Sequence, residues 1–485
     1  MADQLTTDYL IIGAGASGMA FADSLLTHSN KSMIIIDRYA RPGGHWQLAY
    51  PFVRLHQPAA YYGVNSRVLG TDDIEEIGGN AGLSDLSSRD EINAYYDRHM
   101  QQTFLPSGRV KWFPKCEWLG DGSFRSLLTG KEYRVGSQTK VVETSYVKVN
   151  VPAMRPPPYA VAAGIDLVTP NDLPNTTTHH AHYTICGAGK TGIDSCLWLL
   201  NNGVSPDNIT WIMPRDPMYL DRSSLQPGEQ FAERFRERIK RQSKAIMLAS
   251  SMDDCIQRLK ECGQLIQLDE DITPATFHAA IVTMAELEQF RQIKDVVRKG
   301  RIVSISADKV EMSKGSYAPV RDTLYVDCTA TALSRVLPAS VFQGNKIVLQ
   351  TVRFCQPVFS AALIGFIETV HDDDKTKNEL CRPVRYPDAP KDYPLLQLQT
   401  HLNTIRWSKD EKLVEWLADS RLNWFTGASM GMPLPKIAQA LGPMCEKLRR
   451  LIDEQPDEER ISARKTMELF EAAADYSSSR PSEKL

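Results

Sequence analysis

Three glycines near the beginning of the chain, Gly13, Gly15 and Gly18, have the spacing of a loop that holds a dinucleotide. Gly13 permits a tight turn, Gly15 leaves room for a pyrophosphate, and Gly18 lets a helix pack closely on a strand. The free amides at the beginning of that helix would face the phosphates. Asp37 ends the next apolar run, where an acid accepts hydrogen bonds from ribose hydroxyls. The sequence therefore predicts a dinucleotide site at this first turn, residues 13–18.

A second turn, residues 187–192, again lies between an apolar run and a helix-like segment. Gly187, Gly189 and Gly192 repeat the spacing of the first turn. Lys190 and Thr191 give it a likeness to a phosphate-binding P-loop, but a P-loop has four residues between its first glycine and its Gly-Lys pair. Only one residue separates the first two glycines here. The second turn is therefore interpreted as another dinucleotide site.

The residue after the next strand indicates which pyridine nucleotide would bind at the second turn. Arg215 stands where an NAD site carries an acid. An arginine there suits the 2′-phosphate of NADPH, because a guanidinium forms charge-assisted hydrogen bonds with phosphate. The neighbouring Asp216 keeps NADH as an alternative, and a solvated loop arginine is another. We expect NADPH.

Composition argues against several other classes of protein. The net charge is −3 and no basic stripe is present, so nucleic acid is not an expected partner. No apolar run is long enough to span a bilayer and no secretory signal is recognisable, so a cytoplasmic location is expected. No two closely spaced cysteines follow the first turn, where Cys116 stands alone, which argues against a flavin disulfide reductase. His179, His180 and His182 lack a nearby acid or cysteine, so no metal site is predicted.

The two turns must be positioned by strand–helix–strand units. One unit is predicted at residues 9–37 and another at residues 183–213. Charged, helix-like segments at 227–263 and 274–296 predict an insert, and the apolar stretch 352–370 is expected to return to the first unit. The predicted fold class is α/β, with two Rossmann-like dinucleotide-binding domains, a helical insert and a helical C-terminal region.

A loop at residues 38–70 carries the other candidate residues. It is rich in glycine, proline, aromatic and basic residues and has little periodicity, which is typical of functional loops. Arg54 and His56 are candidate catalytic residues, because a cationic group can stabilise negative charge that develops during a reaction. A purely structural role is the alternative for both, and packing is the favoured interpretation of Trp46.

Together these motifs resemble those of two-dinucleotide-fold flavoproteins, in particular the flavin-containing and Baeyer–Villiger-type monooxygenases. The first turn and Asp37 match their FAD fingerprint, and residues 41–46, Arg-Pro-Gly-Gly-His-Trp, resemble their Gly-Gly-x-Trp segment. Residues 55–58 fall where these enzymes place side chains facing the flavin ring. Residues 326–330 resemble the strand that often ends in Ala-Thr-Gly. The resemblance implies FAD at the first turn and NADPH at the second.

The resemblance also implies site residues and domain boundaries. The implied contacts with FAD are Gly13, Gly15, Ser17, Gly18, Asp37, Arg38, Gly44, His45, Trp46 and Cys116. The implied contacts with NADPH are Gly187, Gly189, Lys190, Thr191, Gly192, Arg215 and Ala330. The implied catalytic residues are Arg54, His56 and Gln57. The expected boundaries are 1–170 (FAD-binding domain), 171–335 (NAD(P)H-binding domain, insert at about 221–300), 336–380 (return to the FAD-binding domain), 381–470 (helical region) and 471–485 (disordered tail).

The implied function is an NADPH-dependent FAD monooxygenase that acts on a small organic substrate with molecular oxygen. One departure favours a rival, a flavin dehydrogenase or reductase that inserts no oxygen. Residues 175–182 contain histidines but neither the Phe nor the Gly of the family's Phe-x-Gly-x-x-x-His motif, and Thr331 follows Ala330 where the family has Gly. A non-catalytic FAD-binding protein is a third interpretation. Substrate identity and oligomeric state stay open.

Overall fold

The structure is a computed structural model that describes residues 2–71, 73–146, 149, 151–330, 336–424 and 430–474. Its helices are α1 (Ala16–His28), α2 (Arg89–His99), α3 (Lys190–Asn201), α4 (Ala232–Leu248), α5 (Met252–Glu261), α6 (Met284–Phe290), α7 (Pro357–Val370), α8 (Asp374–Leu380), α9 (Asp392–Trp407), α10 (Glu411–Asp419), α11 (Leu434–Asp453) and α12 (Asp457–Ala472). The strands are β1 (Asp3–Leu5), β2 (Tyr9–Ile12), β3 (Met33–Asp37), β4 (Val110–Pro114), β5 (Cys116–Gly120), β6 (Ser123–Ser126), β7 (Glu132–Val135), β8 (Lys140–Glu143), β9 (Ala160–Val161), β10 (Leu167–Val168), β11 (His182–Cys186), β12 (Ile209–Ile212), β13 (Met218–Asp221), β14 (Leu265–Gln267), β15 (Ile281–Val282), β16 (Asp295–Val297), β17 (Ile302–Ile305), β18 (Val310–Met312), β19 (Gly315–Tyr317), β20 (Thr323–Asp327), β21 (Phe342–Gln343) and β22 (Lys346–Val348).

The first sheet has the strand order β21-β22-β8-β2-β3-β4, and its strands pair in parallel except at the β21–β22 hairpin. The continuous apolar runs of β2 and β3 fit strands whose two faces are covered. Helix α7 covers one face together with α1. The two helices approach closely at Gly365, where a Cβ would lie 2.9 Å from the carbonyl oxygen of Phe21. The apolar stretch that contains α7 therefore packs on the helix that follows the first turn.

The second sheet has the order β10-β20-β11-β12-β16, and all of its pairs are parallel. Helix α3 follows β11 and connects it to β12, as a dinucleotide-binding unit requires. Both sheets therefore contain the predicted Rossmann-like unit, and the α/β fold class is confirmed.

The insert differs from its predicted helical form. Residues 274–296 contain β15 and β16 as well as the short helix α6. Strand β15 pairs with β13 inside the insert, whereas β16 joins the second sheet beside β12. Periodicity does not separate short buried strands from helix turns, because the difference depends on which neighbouring strand is available. The prediction of a continuous helical segment over 274–296 was therefore wrong.

The insert and the C-terminal helices share one hydrophobic core. Leu220, Ile246 and Leu259 of the insert pack in the same cluster as Leu398 and Leu448 of α9 and α11. The two segments therefore form a third unit between them. Its last helix, α12, continues to Ala472, so residues 471 and 472 are helical rather than part of a tail. Residues 473 and 474 follow in a buried turn, and the rest of the predicted tail, 475–485, lies outside the described residues.

None of the helices in the described ranges combines the length and the apolar composition that a membrane span requires.

Candidate functional site

The first turn has the geometry that its glycines predict. Gly13 has a φ of +107°, and its amide donates to the carbonyl of Ile36 at 2.8 Å. A Cβ on Gly18 would lie 2.1 Å from the Gly13 carbonyl oxygen, so only glycine fits there. Helix α1 begins just after Gly15, and no side chain of the described residues caps it. Ser17 lies in its first turn, where the backbone amides can donate to an anion.

The segment predicted to run beside the flavin lies against the first turn. The Gly43 amide donates to the Ala14 carbonyl at 2.8 Å. A Cβ on Gly44, whose φ is +58°, would lie 2.8 Å from the Cα of Gly15. A side chain at position 44 would therefore strike the backbone of the first turn, which explains the second glycine of the Gly-Gly pair.

His45 and Trp46 follow this contact and have different surroundings. Trp46 is buried, and its indole donates to the Tyr62 hydroxyl at 2.8 Å. His45 stacks on Trp46 with the ring centroids 5.3 Å apart. The His45 side chain is exposed to solvent. His45 is therefore accessible beside the segment that contacts the first turn.

Asp37 is buried at the end of β3. Its carboxylate accepts from the amides of Ala14 at 2.7 Å and Tyr39 at 2.9 Å, and burial raises its pKa. One carboxylate oxygen therefore fixes the first turn itself, in addition to any contact with a ribose. Arg38 is exposed beside it. Thr144, which the motif analysis missed, donates to the Ile12 carbonyl at 2.6 Å and lies against Gly13.

Cys116 does not present its side chain to the first turn. The thiol is buried with Leu10, Ile36 and Phe124, between the first sheet and the strands β5 to β7. Burial raises its pKa. The predicted cofactor contact of this residue is therefore limited to its backbone, because a strand that packs on a sheet turns one side chain in two into the core.

The second turn repeats the internal geometry of the first. Gly187 has a φ of +128°, and its amide donates to the Ile212 carbonyl at 3.0 Å. A Cβ on Gly192 would lie 2.2 Å from the Gly187 carbonyl oxygen. Around Gly189 the surroundings are open, since no described heavy atom lies within 4 Å of an added Cβ. Thr191 lies in the first turn of α3, whose amides face the same space.

The segment after β20 abuts the second turn. A Cβ on Gly187 would lie 2.9 Å from the carbonyl oxygen of Cys328. Ala330 donates its amide to that same carbonyl at 2.9 Å and is partly exposed. Ala330 therefore stands close to the turn, as the strand-end resemblance implies. Thr331 lies outside the described residues.

The loop at residues 50–57, called the junction loop below, connects the two turns. The Tyr50 hydroxyl donates to Asp194 of α3 at 2.7 Å. Lys190 of the second turn pairs with the same carboxylate. Phe52 packs on Trp198 of α3 with the ring centroids 5.5 Å apart. A segment of the first domain is therefore held on the helix of the second turn, and the Lys190 charge is neutralised within the protein.

His56 lies inside this junction. Its Nδ1 accepts the Ile281 amide at 3.2 Å, and its carbonyl accepts from the buried Arg222 at 3.0 Å. Burial, followed by the charges of Lys190 and Arg222, lowers its pKa to about 3. His56 is therefore neutral at ordinary pH and carries its hydrogen on Nε2. The buried Gln57 beside it donates weakly to the Tyr61 carbonyl at 3.5 Å.

The other two predicted cationic residues already have carboxylate partners. Arg54 pairs with Glu75 and donates to the Leu86 carbonyl at 3.0 Å, with 44% of its side chain exposed. Arg215 follows β12 as predicted and makes two hydrogen bonds of 3.1 Å to Asp388. Arg54 thus supports its loop and does not act as a free cation beside His56. Neither carboxylate partner, Glu75 or Asp388, could be predicted from the sequence around the arginine.

Two of the three clustered histidines have protein partners. His180 lies 3.1 Å from Asp322, and His182 lies 2.8 Å from the Thr210 hydroxyl. In the described part of the chain, no group of three or more potential ligand side chains could hold a metal ion.

Two similar turns, each after a parallel strand, define a protein with two dinucleotide-binding folds. Residues 11–62 match the family NAD(P)-binding Rossmann-like domain, which confirms the first predicted unit. The chain is 46% identical over 449 residues to uncharacterized protein Rv2000 of Mycobacterium tuberculosis and to uncharacterized protein Mb2023 of Mycobacterium bovis. Each alignment covers 92% of this chain and 83% of the relative. The chain belongs to the family of these mycobacterial proteins.

Solved structures with a similar arrangement are distant in sequence. They include a flavin-containing monooxygenase from Stenotrophomonas maltophilia, at 16% identity and a TM-score of 0.41, covering 76% of this chain and 98% of that one. An open structure of cyclohexanone monooxygenase is 14% identical, with a TM-score of 0.46, and the match covers 75% of this chain and 88% of that one. An oxidized steroid monooxygenase bound to NADP is 12% identical, with a TM-score of 0.44, and the match covers 93% of this chain and 97% of that one.

Proposed function

We propose that the protein is an FAD-dependent oxidoreductase that NADPH reduces, and that it acts as a monooxygenase on a small organic substrate. The junction loop carries this proposal. It leaves the segment that lies against the first turn, contacts Asp194 beside the second turn, and holds His56 between them. A hydride donor at one turn and an acceptor at the other require such an arrangement, because they react only when held in contact.

The residues at the first turn fit FAD. The amides that begin α1 and the close backbone approach at Gly15 and Gly44 form a cradle that a Cβ would fill. Asp37 and Arg38 stand where the ribose and its surroundings would lie. Bound FAD supplies the redox chemistry, since it accepts hydride and its reduced form reacts with molecular oxygen.

The residues at the second turn fit NADPH. The open space at Gly189 and the amides of α3 suit a pyrophosphate, and Ala330 borders the same turn. Arg215 is proposed to bind the 2′-phosphate in exchange for Asp388, because a phosphate dianion attracts a guanidinium more strongly than a carboxylate does. Lys190 is held by Asp194 and is proposed to orient the turn.

His56 is proposed to position the reacting groups as a neutral donor. Its Nδ1 is occupied by the Ile281 amide, so its Nε2–H is left to donate a hydrogen bond. The Gln57 side-chain amide is the second polar group there. A neutral donor can stabilise negative charge that develops on an oxygen without releasing a proton of its own.

The first test measures reduction of the purified holoenzyme by NADPH without oxygen. Bleaching of the flavin absorbance within seconds is expected, and NADH should act more slowly. No bleaching with either nucleotide would contradict the proposal and would favour a non-catalytic FAD-binding protein.

The second test separates a monooxygenase from a reductase. Methyl phenyl sulfide and isotopically labelled oxygen are added with NADPH. One labelled oxygen atom should appear in the sulfoxide and the other in water, with one NADPH oxidised per sulfoxide. Release of one hydrogen peroxide per NADPH, with no labelled sulfoxide, would favour the flavin dehydrogenase or reductase that the departure at residues 175–182 suggests.

A further inference from the structure

Helix α4 of the insert carries a buried guanidinium that lacks a carboxylate partner. Arg238 is 7% exposed, and its Nη1 donates to the side-chain oxygen of Gln264 at 2.8 Å. Its Nε has no hydrogen-bond partner among the described residues, and the Asp221 carboxylate acts on its charge without forming an ion pair with it. Arg222, the other buried arginine of the insert, pairs with Glu286 at 2.9 Å. Arg222 therefore has an ion-pair partner for its buried charge, whereas Arg238 makes no ion pair with the described residues.

A buried and unpaired guanidinium destabilises a protein unless something balances it. Arginine keeps its charge in proteins, and the free energy lost when that charge is buried exceeds the free energy gained from one neutral hydrogen bond. The Phe235 ring lies 5.1 Å from the Arg238 guanidinium, which offsets part of that cost. Burial also lowers the pKa of Arg238. The remaining imbalance is the kind that an anionic ligand removes.

Aromatic side chains connect Arg238 to the junction loop. Tyr61 and Tyr393 are both close enough for the Arg238 charge to lower the pKa of their hydroxyl groups, although burial raises it more. The Tyr61 ring packs on Trp424 at 5.4 Å, and its carbonyl accepts from Gln57. A wall of rings therefore extends from the proposed reaction centre to the guanidinium.

The interior near this wall is open to solvent in part. Cys355, Tyr386 and His401 keep partial exposure, and burial nevertheless raises the pKa of Cys355 and of Tyr386. Burial lowers the pKa of His401 to about 4. Cys355 has a φ of +57°, a strained backbone conformation of the kind that recurs at ligand sites. Cys355 is close enough to Tyr393 to influence the pKa of its hydroxyl, so this partly exposed region borders the aromatic wall.

We propose that the substrate is an aromatic carboxylate whose ring lies against Tyr61 and Tyr393 and whose carboxylate pairs with Arg238. The proposal rests on the function proposed above, because it places the far end of the substrate at the junction loop. A carboxylate accepts two parallel hydrogen bonds from one guanidinium, which an amide oxygen such as that of Gln264 does not match.

The test compares two probes that differ only in charge, 4-(methylsulfanyl)benzoate and 4-(methylsulfanyl)benzamide. Binding to the holoenzyme is measured by protein fluorescence and by the shift in Tm. The benzoate should bind about 10- to 100-fold more tightly than the benzamide, which is the range of one charge-assisted hydrogen-bond pair. Equal binding of the two compounds, or binding of neither, would overturn the proposal.

Two variants assign the preference to Arg238. Arg238→Met should remove the preference for the benzoate and leave the Tm of the unliganded protein equal or higher, because an unpaired buried charge is lost. Arg238→Lys should keep part of the preference. Arg241→Met is the matched control, since Arg241 is exposed on the same helix. A lowered Tm with an unchanged preference in Arg238→Met would show a structural role and overturn the proposal.

The same preparations separate this proposal from the proposed function. FAD content and anaerobic reduction by NADPH are measured beside the binding of the probes. If NADPH fails to reduce the flavin while the Arg238-dependent preference persists, the anion site stands and the assigned reaction is wrong. If reduction succeeds and the preference is absent, only the substrate class is wrong.

Discussion

The first and second turns have nearly the same internal geometry and different surroundings. In each, the third glycine of the motif would carry its Cβ within about 2 Å of the first glycine's carbonyl oxygen, and that first glycine has a positive φ. The two turns differ in their surroundings at the second glycine of the motif. Gly15 is covered by the backbone of Gly44, whereas Gly189 faces open space. The shared part is local and the differing part comes from distant segments.

This difference indicates which nucleotide each turn is suited to bind. A turn closed by a second segment of chain and fixed by Asp37 suits a resident cofactor, because release would require that segment to move. An open turn whose arginine is paired with a protein carboxylate suits a nucleotide that binds and leaves in each cycle. The proposed assignment of FAD to the first turn and NADPH to the second follows this contrast.

The largest expected effect comes from closing the first turn. Gly15→Val should abolish FAD binding, because its branched side chain would enter the space between Gly44 and the pyrophosphate. The measurement is flavin absorbance per mole of purified, folded protein. Gly15→Ala is the milder control, since its Cβ would make an ordinary 3.5 Å contact. A fully yellow Gly15→Val protein would remove FAD from the first turn.

The corresponding change at the second turn should separate the two sites. Gly189→Val should keep the fold and the FAD content, because the described surroundings are open there. It should slow anaerobic flavin reduction by NADPH at least about 100-fold, because the side chain occupies the phosphate's approach. Loss of FAD in this variant would show that the two turns are not independent.

Arg215→Ala tests the nucleotide preference of the second turn. The Kd for NADPH should rise about 10- to 100-fold and that for NADH about twofold or less, because only NADPH loses a charge-assisted phosphate contact. Fluorescence titration measures both. Asp388→Asn should have the opposite effect and lower the Kd for NADPH a few-fold, because the carboxylate that competes for Arg215 is replaced by a neutral amide. Equal weakening of both nucleotides in Arg215→Ala would exclude this residue from the site.

The last effect concerns stability at the junction between the turns. The folded protein lowers the pKa of His56 from 6.5 to about 3, so the unfolded chain takes up a proton that the folded protein does not as pH falls below 6.5. The free energy of unfolding should therefore decrease between pH 6.5 and 3, by at most about 1.4 kcal/mol per pH unit for this group.

The matching variants test that assignment. His56→Gln should flatten this part of the stability profile in chemical denaturation, because glutamine can accept the same Ile281 amide without titrating. His179→Gln, at an exposed position, should leave the profile unchanged. Identical slopes in His56→Gln and the unaltered protein would show that His56 is not held neutral by the fold.

Local patterns and long-range packing were predictable to different extents. Both strand–helix–strand units could be predicted because their signals, apolar runs and three spaced glycines, lie within about 30 residues. The insert was predicted with too much helix, because β15 and β16 are defined by pairing with β13 and β12. Cys116 lies in a core that only the folded β5 to β7 strands create.

The two turns and their order could be predicted from the residues alone, because a glycine requirement is set by the backbone around it. Which charges are free depends on long-range packing. It pairs Arg54 with Glu75, holds Arg215 against Asp388 and leaves the Nε of Arg238 without a hydrogen-bond partner among the described residues. The charges in such pairs are far apart along the chain or have no local signature, and their energies depend on burial, which a sequence pattern does not record.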